Sequence, residues 1–390
     1  MRDFSIRIWA QGNPGNIIMM YLTALKLRKT LGFGTLRHVH IPLFNINLPD
    51  HDLHGMIGLH DRNATNGRLQ GAFPFEGYKN AIHQCDASFL TLDGFYQHIS
   101  NFPDRSSFDY DREFPALTDT DDHGGEDDLV INIRGGDILK AIHPHYTQLP
   151  PEFYEALIAR TGKHPIFYGQ LDPSPYLEEL KQRFPTATFI PSRGVERDFD
   201  FIRKSHYIVP ALSTFSWLAA WLSNAKKIFF PVAGIFSPAQ HPSAMLLPLD
   251  DKRYEFYTFP IYFARNIADY REYMDPIRNL WQYSETEMLR DICKPKERSL
   301  DAGLNLFNAE EYLALYPEFG QLYKSFGNSG LVNHFCEAGF WESRKPFFFD
   351  ETFYSSRYPM AALAVSQGHY RDMLDHYLLA GHKMGYRPHP

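Results

Sequence analysis

Residues 207–232 read YIVPALSTFSWLAAWLSNAKKIFFPV, and this stretch decides the fold. Tyr207-Ile208-Val209 is a short apolar run with two β-branched residues, the composition of a buried strand. Phe215 to Ser223 is rich in Trp, Leu and Ala and is too long for a strand, so it reads as a helix. Lys227 to Phe230 reads as a second strand. A strand, a helix of about ten residues and a further strand is the unit that joins parallel neighbours, because parallel strands need a crossover connection.

The same rhythm extends upstream. Leu129 to Ile133 reads as a strand, Pro151 to Thr161 as a helix, Pro165 to Tyr168 as a strand and Pro175 to Phe184 as a helix. Thr188 to Ile190 then reads as a strand and Asp198 to Ser205 as a helix. Such alternation predicts a parallel sheet covered on both faces. Residues 126–300 are therefore expected to form a Rossmann-like domain, with trailing helices over 251–300.

The chain opens in a related way. Phe4 to Trp9 alternates like a strand, Gln11-Gly12-Asn13-Pro14-Gly15-Asn16 is a turn cluster, and Ile17 to Leu31 has apolar residues at helical spacing. Residues 1–125 are expected to be a first Rossmann-like domain. Within it, His38 to Ile41 reads as a strand and the rest of 36–115 is broken by Pro, Gly, Asn and Asp. The acidic, glycine-containing run LTDTDDHGGEDD at 117–128 marks the linker.

Residues 301–390 hold an internal repeat. Phe307, Tyr312, Tyr316-Pro317, His334 and Gly339 recur as Phe349, Tyr354, Tyr358-Pro359, His376 and Gly381, each 42 positions on. Fixed-period similarity of this kind predicts two copies of one helical unit that stack to bury a common core. Such repeats suit contacts with protein or glycan.

Composition narrows the partners. A net charge of −7 gives no basic surplus for nucleic acid. Three widely spaced cysteines, Cys85, Cys293 and Cys336, with no CxxC, predict ordinary thiols in a reducing compartment. No transmembrane segment is expected: the most apolar stretch, Phe215 to Phe230, is interrupted by Ser216, Ser223, Asn224, Lys226 and Lys227. The N-terminus lacks the apolar core of a signal peptide. The expected location is the cytoplasm, peripheral to the inner membrane if the acceptor is lipid-linked.

Four motifs carry chemistry. Asn132-Ile133-Arg134-Gly135-Gly136-Asp137 follows a strand, where parallel sheets bind ligands, and Arg134 offers a planar fork for phosphate oxygens. The glycines allow close backbone approach and positive φ. Ser213-Thr214-Phe215 opens a helix, where hydroxyls and free N–H groups suit an anion. Gly15 and Asn16 open the first helix, but the run is not GxGxxG and so is not a dinucleotide fingerprint. Asp198-Phe199-Asp200 has the spelling of a metal-binding acidic pair, but its helical position argues for no metal.

Three of these features fall in a known order. Gly12, Gly15, Asn16, Tyr21, Ala24 and Leu27, then the arginine motif, then Ser213 to Leu222 together resemble the bacterial α-1,2-fucosyltransferases. They are more distantly similar to the α-1,6- and protein O-fucosyltransferases. The resemblance covers residues 4–31 and 129–232. It implies a GT-B fold, two Rossmann-like domains facing a cleft, and an inverting transferase that takes L-fucose from GDP-fucose without a metal or other cofactor. The family's His-x-Arg-Arg-x-Asp lies at Asn132, Arg134, Gly135 and Asp137, so the arginine that binds the donor β-phosphate is kept as Arg134. The histidine that helps hold guanine has become Asn132, and the second arginine Gly135. Asp198 falls where a carboxylate reads guanine, and Ser213 and Thr214 where hydroxyls meet the diphosphate.

The motifs name no general base. His143 and His145 follow the arginine motif, and Glu76 lies on the expected acceptor side. The saccharide acceptor would belong to surface-glycan assembly. The altered arginine motif leaves open another GDP- or UDP-sugar donor, and a degenerate transferase fold would serve as a non-catalytic binding scaffold.

Overall fold

The structure is a computed structural model. It describes residues 4–9, 12–61, 72–118, 121–136, 138, 145–238, 240, 244–262, 269–293, 300–366 and 370–390. His143 and Asp137 lie outside the described residues.

A first sheet is built from β1 (Ser5–Ile8), β2 (Thr35–Arg37), β5 (Gly58–Asp61) and β6 (Phe89–Leu92). The spatial order is β2-β1-β6-β5, all parallel. β3 (Val39–Ile41) and β4 (Ile46–Leu48) form a separate antiparallel pair. Between β1 and β2 runs α1 (Pro14–Leu31), closed by Gly32 in the left-handed conformation, with Arg28 and Lys29 in the last turn, where cations suit the helix dipole. α2 (Phe75–Gln84) precedes β6, and the short α3 (Tyr110–Glu113) follows it.

The second sheet has seven strands in the order β13-β12-β11-β10-β7-β8-β9. Its first part alternates as expected: β7 (Asp128–Ile133), α4 (Pro151–Thr161), β8 (His164–Gly169), α5 (Pro175–Arg183), β9 (Thr188–Pro191), α6 (Val195–Lys204), β10 (Tyr207–Val209), α7 (Thr214–Leu222) and β11 (Lys227–Val232). The expectation of helices alone over 251–300 is corrected. β12 (Tyr254–Thr258) pairs in parallel with β11, and β13 (Gln282–Ser284) closes the edge antiparallel to β12. Tyr254, Phe256 and Tyr257 are buried in this strand, so its aromatic content serves a sheet. Among the described residues that region also holds α8 (Arg271–Met274) and α9 (Thr286–Cys293).

α7 is apolar on all sides, and every residue of it except Phe215 is buried, as an all-round apolar helix requires. The Trp217 indole N–H donates to the Leu246 carbonyl at 2.6 Å. At its C-terminal end the Arg105 and Arg253 guanidinia both donate to the Trp221 carbonyl, supplying partners that a buried helix end needs. Arg105 comes from the segment after β6, so α7 is gripped from both sheets' connections.

Over residues 300–390, side chains 42 positions apart make matching contacts. α10 (Leu300–Asn305) packs on α2, and α11 (Ala309–Leu315) and α12 (Gly320–His334) follow, with a π-helical turn at Phe335–Gly339. The second copy has α13 (Glu351–Arg357), α14 (Pro359–Ser366) and α15 (Met373–Leu379). Tyr312 Oη lies 3.1 Å from His334 Nδ1, and Tyr354 Oη lies 2.8 Å from His376 Nδ1. Asn308 and Asp350 cap the first helix of each copy. Their backbone N–H groups donate to Pro346 and Pro388 carbonyls, both at 3.0 Å, so each copy closes end to end. Tyr316 and Tyr358 hydroxyls accept from the Lys345 and Arg387 N–H groups at 2.8 and 2.9 Å.

The copies differ in what they join. One contiguous core runs through both sheets and the first copy, while the second copy has a small core of its own around Phe347, Phe349, Tyr354, Leu374 and Tyr377. The first copy is fastened to the open side of β5. The Asn333 side-chain amide accepts from His60 N–H at 3.0 Å and donates to the Gly58 carbonyl at 3.3 Å, as a further strand would. Among the described residues no helix is long and apolar enough to cross a membrane.

Candidate functional site

In an open parallel sheet, ligands bind beyond the C-terminal strand ends where the strand order reverses. The second sheet reverses at β7 and β10: β8 and β9 extend one way, β11 and β12 the other. Arg134 directly follows β7, and Ser213 and Thr214 follow β10 by four and five residues. The first sheet reverses at β1 and β6. The loops there carry Gly12 to Asn16 and Asp93 to Gln97.

The two reversal points meet. The Asn16 side-chain oxygen accepts from Gln97 Nε2 at 3.1 Å, joining the two loops of the first sheet. Met245, between β11 and β12, donates to the Gln97 carbonyl at 2.8 Å and accepts from Ile99 N–H at 2.7 Å. Gly15, in the first turn of α1, rests on the first turn of α7. A Cβ there would lie 2.9 Å from the Thr214 carbonyl carbon and 3.0 Å from Phe215 N. Neither helix has a side-chain cap bond at Asn13 or Ser213. The α7 loop is instead braced by Ser216, whose Oγ accepts from Ala211 N–H at 3.0 Å. Ser213 and Thr214 are thus buried but not spent on capping.

Arg134 is half-buried, with its guanidinium 4.9 Å from the centre of the Tyr146 ring. That contact orients a cation by the ring's quadrupole. Its backbone carbonyl accepts from the Gln148 side-chain amide. His145 lies alongside. Its carbonyl accepts from Ile235 N–H at 3.1 Å. Gly234 lies between this carbonyl and the Leu212 side chain, without room for a Cβ. The His145–Tyr146 segment therefore sits between Arg134 and the loop carrying Ser213.

Other expected site residues have duties within the fold. One Asn132 amide hydrogen goes to the Tyr168 carbonyl at 3.1 Å. The Asp198 carboxylate accepts from Tyr168 Oη at 2.7 Å, from Arg193 N–H at 2.9 Å and from the Ser192 hydroxyl. A carboxylate has about four acceptor directions, so one is left for a ligand. The Asp198-Phe199-Asp200 spelling is a helix turn whose carboxylates diverge. Asp200 is buried and accepts from Leu117 and Thr118 N–H at 2.9 and 2.8 Å. The glycine pair also has a structural cause. Gly136 has φ +54° and donates to Asp172 at 2.9 Å, while a Cβ on Gly135 would fall 2.6 Å from the Gln170 carbonyl. The chain's own carboxylate thus occupies the anion position of that turn.

Glu76 lies in the first turn of α2, its carboxylate 3.4 Å from Lys79 Nζ, while the next N–H, that of Gly77, donates to Asp301 at 2.9 Å. The contacts seen at Glu76 are with α2 and the start of α10, not with Arg134 or Ser213.

Sequence reasoning missed Tyr146, Gln97 and Gln240, since no motif marks them. It also missed an acidic pair at the end of the first sheet. Asp61 closes β5, accepts from Tyr96 Oη at 2.7 Å, and gives its carbonyl to Asp93 N–H at 2.8 Å. Burial, with Asp93 adding to it, pushes the Asp61 carboxyl up to about 7.

No family model matches the chain, and no curated protein matches it. Among solved structures it is similar to a Listeria monocytogenes protein provisionally assigned as a UDP-N-acetylglucosamine 2-epimerase. That likeness has 11% identity and a TM-score of 0.29, and it covers 62% of this chain and 82% of that one.

Proposed function

We propose that the chain is a glycosyltransferase that takes a sugar from a nucleoside diphosphate sugar, with GDP-fucose as donor and a saccharide as acceptor. The observation that carries this reading is the meeting of two sheet reversal points, where two helix N-termini lack side-chain caps and Arg134 directly follows β7. A diphosphate needs this kind of environment: a guanidinium fork, hydroxyls and unpaired helix N–H groups. Arg134 would stabilise charge gathering on the departing β-phosphate, and Ser213 and Thr214 would hold its oxygens. Asp198 would accept from guanine through its remaining lone-pair direction. Gly15 and Asn16 would close the site from the first sheet, with Phe215 at its rim.

Thermal unfolding with GDP, UDP or ADP, in the presence of EDTA, tests the reading. A ligand at 100 times its dissociation constant adds about 2.7 kcal/mol of stability. GDP is expected to raise the Tm of the wild type and to leave Arg134→Ala nearly unmoved. A shift with UDP alone would remove the guanine assignment, and no shift with any nucleotide would remove the transferase reading.

A further inference from the structure

We propose that Trp9, Arg37 and His38, at the C-terminal ends of β1 and β2, form a binding platform for an acidic saccharide, a sugar chain that carries carboxylates. Its role as the acceptor side of a transfer rests on the nucleotide-sugar reading; its role as a binding site does not.

The strands set the geometry. Successive side chains of a strand point to opposite faces. Ile6, Ile8 and Leu36 are buried in the core. Ser5 and Arg7 face the segment after β4, where Ser5 Oγ lies 3.3 Å from His51 Nε2 and Arg7 Nε donates to Asp50 at 2.8 Å. Arg37 is the register partner of Arg7 and shares its face. Trp9 stands two residues beyond Arg7. Its N–H donates to the Leu92 carbonyl at 2.8 Å, so the strand geometry runs on and the indole lies on that face too. The chain then turns at His38, which takes φ +55°. A residue other than glycine is strained there, and such strain gathers at binding sites. The turn sets the His38 ring 5.5 Å from the Trp9 ring.

Three properties of this corner fit an acidic sugar. Trp9 is 50% exposed, directly after β1, one of the two strands where the first sheet reverses and ligands are taken. Its indole offers a flat apolar face to the C–H face of a sugar ring, with an N–H at its edge. Second, Arg37 is half-buried and has no charge partner. The Arg7 guanidinium beside it is engaged by Asp50 and Thr91, but among the described residues no carboxylate pairs with Arg37. A guanidinium fork takes a carboxylate through two parallel hydrogen bonds. Third, Arg37 Nε and His38 Nδ1 are both buried without a hydrogen-bond partner, which a corner built only for packing would not leave. Trp9 precedes Gly15 by six residues, so at most about 22 Å of chain separates the platform from the meeting of α1 and α7. An oligosaccharide of a few units spans that distance.

The test follows the Trp9 indole N–H in ¹H–¹⁵N spectra of the full chain, the signal assigned by its loss in Trp9→Leu. The probes are tetragalacturonate, its methyl ester, which is the same sugar chain without charge, and inorganic phosphate. Tetragalacturonate is expected to move the Trp9 signal at a concentration about tenfold lower than the ester, as a charge-assisted hydrogen bond gives. Arg37→Gln is expected to abolish that preference. An equal response to the two sugar chains, no response to either, or a preference that Arg37→Gln keeps overturns the proposal. Phosphate that moves the signal where tetragalacturonate does not shows an anion site alone and overturns it as well. Should Arg37→Gln fail to fold, the comparison of acid and ester on the wild type decides. Tetragalacturonate that binds while no nucleotide shifts the Tm leaves the platform standing and removes the transferase reading. A GDP shift without any response to the sugar chains does the reverse.

Discussion

Gly15 of α1 and Thr214 of α7 touch through their backbones, at a spacing that leaves no room for a methyl group at Gly15. The contact brings the first turn of one sheet's helix onto the first turn of the other's. Both helices begin without a side-chain cap, so the Gly15 N–H of α1 and the first N–H groups of α7 share one neighbourhood.

Gly15→Ala is therefore expected to push the two helix starts apart. The added carbon would sit 2.9 Å from the Thr214 carbonyl carbon, and backbone on both sides resists movement. A loss of about 1–3 kcal/mol in stability is expected, as for overpacking elsewhere. Denaturant unfolding measures it. The GDP-induced Tm shift should shrink as well, and a variant with wild-type stability and wild-type shift would contradict the contact.

Gly339 and Gly381 occupy the same place in the two repeat copies, under the hydroxyls of Tyr312 and Tyr354, and neither has room for a Cβ. The surrounding cores differ, however. Gly339→Ala is expected to lower the main unfolding transition, because the first copy shares the core of the sheets. Gly381→Ala is expected to loosen only the second copy, seen as early proteolysis after 346 with the main Tm little changed.

Arg7 in β1 holds Asp50, with Nε donating to Oδ1 at 2.8 Å and the Thr91 hydroxyl on the other side at 3.2 Å. That hydrogen bond keeps the Asp50 carboxyl down at about 2. The unfolded carboxyl titrates near 3.9, so the native state binds fewer protons in the interval between. The contribution is full above about pH 4 and is lost as pH falls through about 2. Asp50 is partly exposed, so the loss on acidification is on the order of 1 kcal/mol. Asp50→Asn should remove that part of the acid slope in denaturant titrations from pH 5 to pH 2.

Asp61 works in the opposite sense. Its native carboxyl keeps the proton up to about 7, whereas the unfolded one releases it near 3.9. Between those values the native state binds more protons, so stability falls as pH rises and levels off above pH 7. Asp61→Asn is expected to flatten this fall, gaining up to about 4 kcal/mol relative to wild type between pH 4 and pH 8. An unchanged pH profile in urea titrations would contradict a protonated Asp61.

Local patterning made much of the second sheet legible. Residues 207–232 could be read because the strand, helix and strand each use residue types that suit their own element. Tyr254 to Thr258 misled because Arg, Glu and Tyr around it suggest a surface helix, although Tyr254, Glu255 and Phe256 already alternate like a strand. The places of Arg134, Ser213 and Thr214 in the fold were readable because Arg134 directly follows one strand and Ser213 and Thr214 open the helix after another. The duties of Asn132, Asp198 and the glycine pair were not readable. They are set by Tyr168, Arg193, Ser192, Gln170 and Asp172, partners that sequence order does not reveal. Gln240 carries no motif, and only the fold brings it to His145.

The amide of Asn333 on β5 has a meaning for how the protein behaves in a crowded solution. A sheet's last strand is a template for any other extended chain, and natural proteins blunt such templates. Here one side chain answers both a donor and an acceptor of that strand, and the helix bearing it covers the rest. Cleavage that strips the C-terminal region would leave a four-residue strand ready to pair with a stranger, so aggregation, more than loss of fold, would be the first sign of damage there.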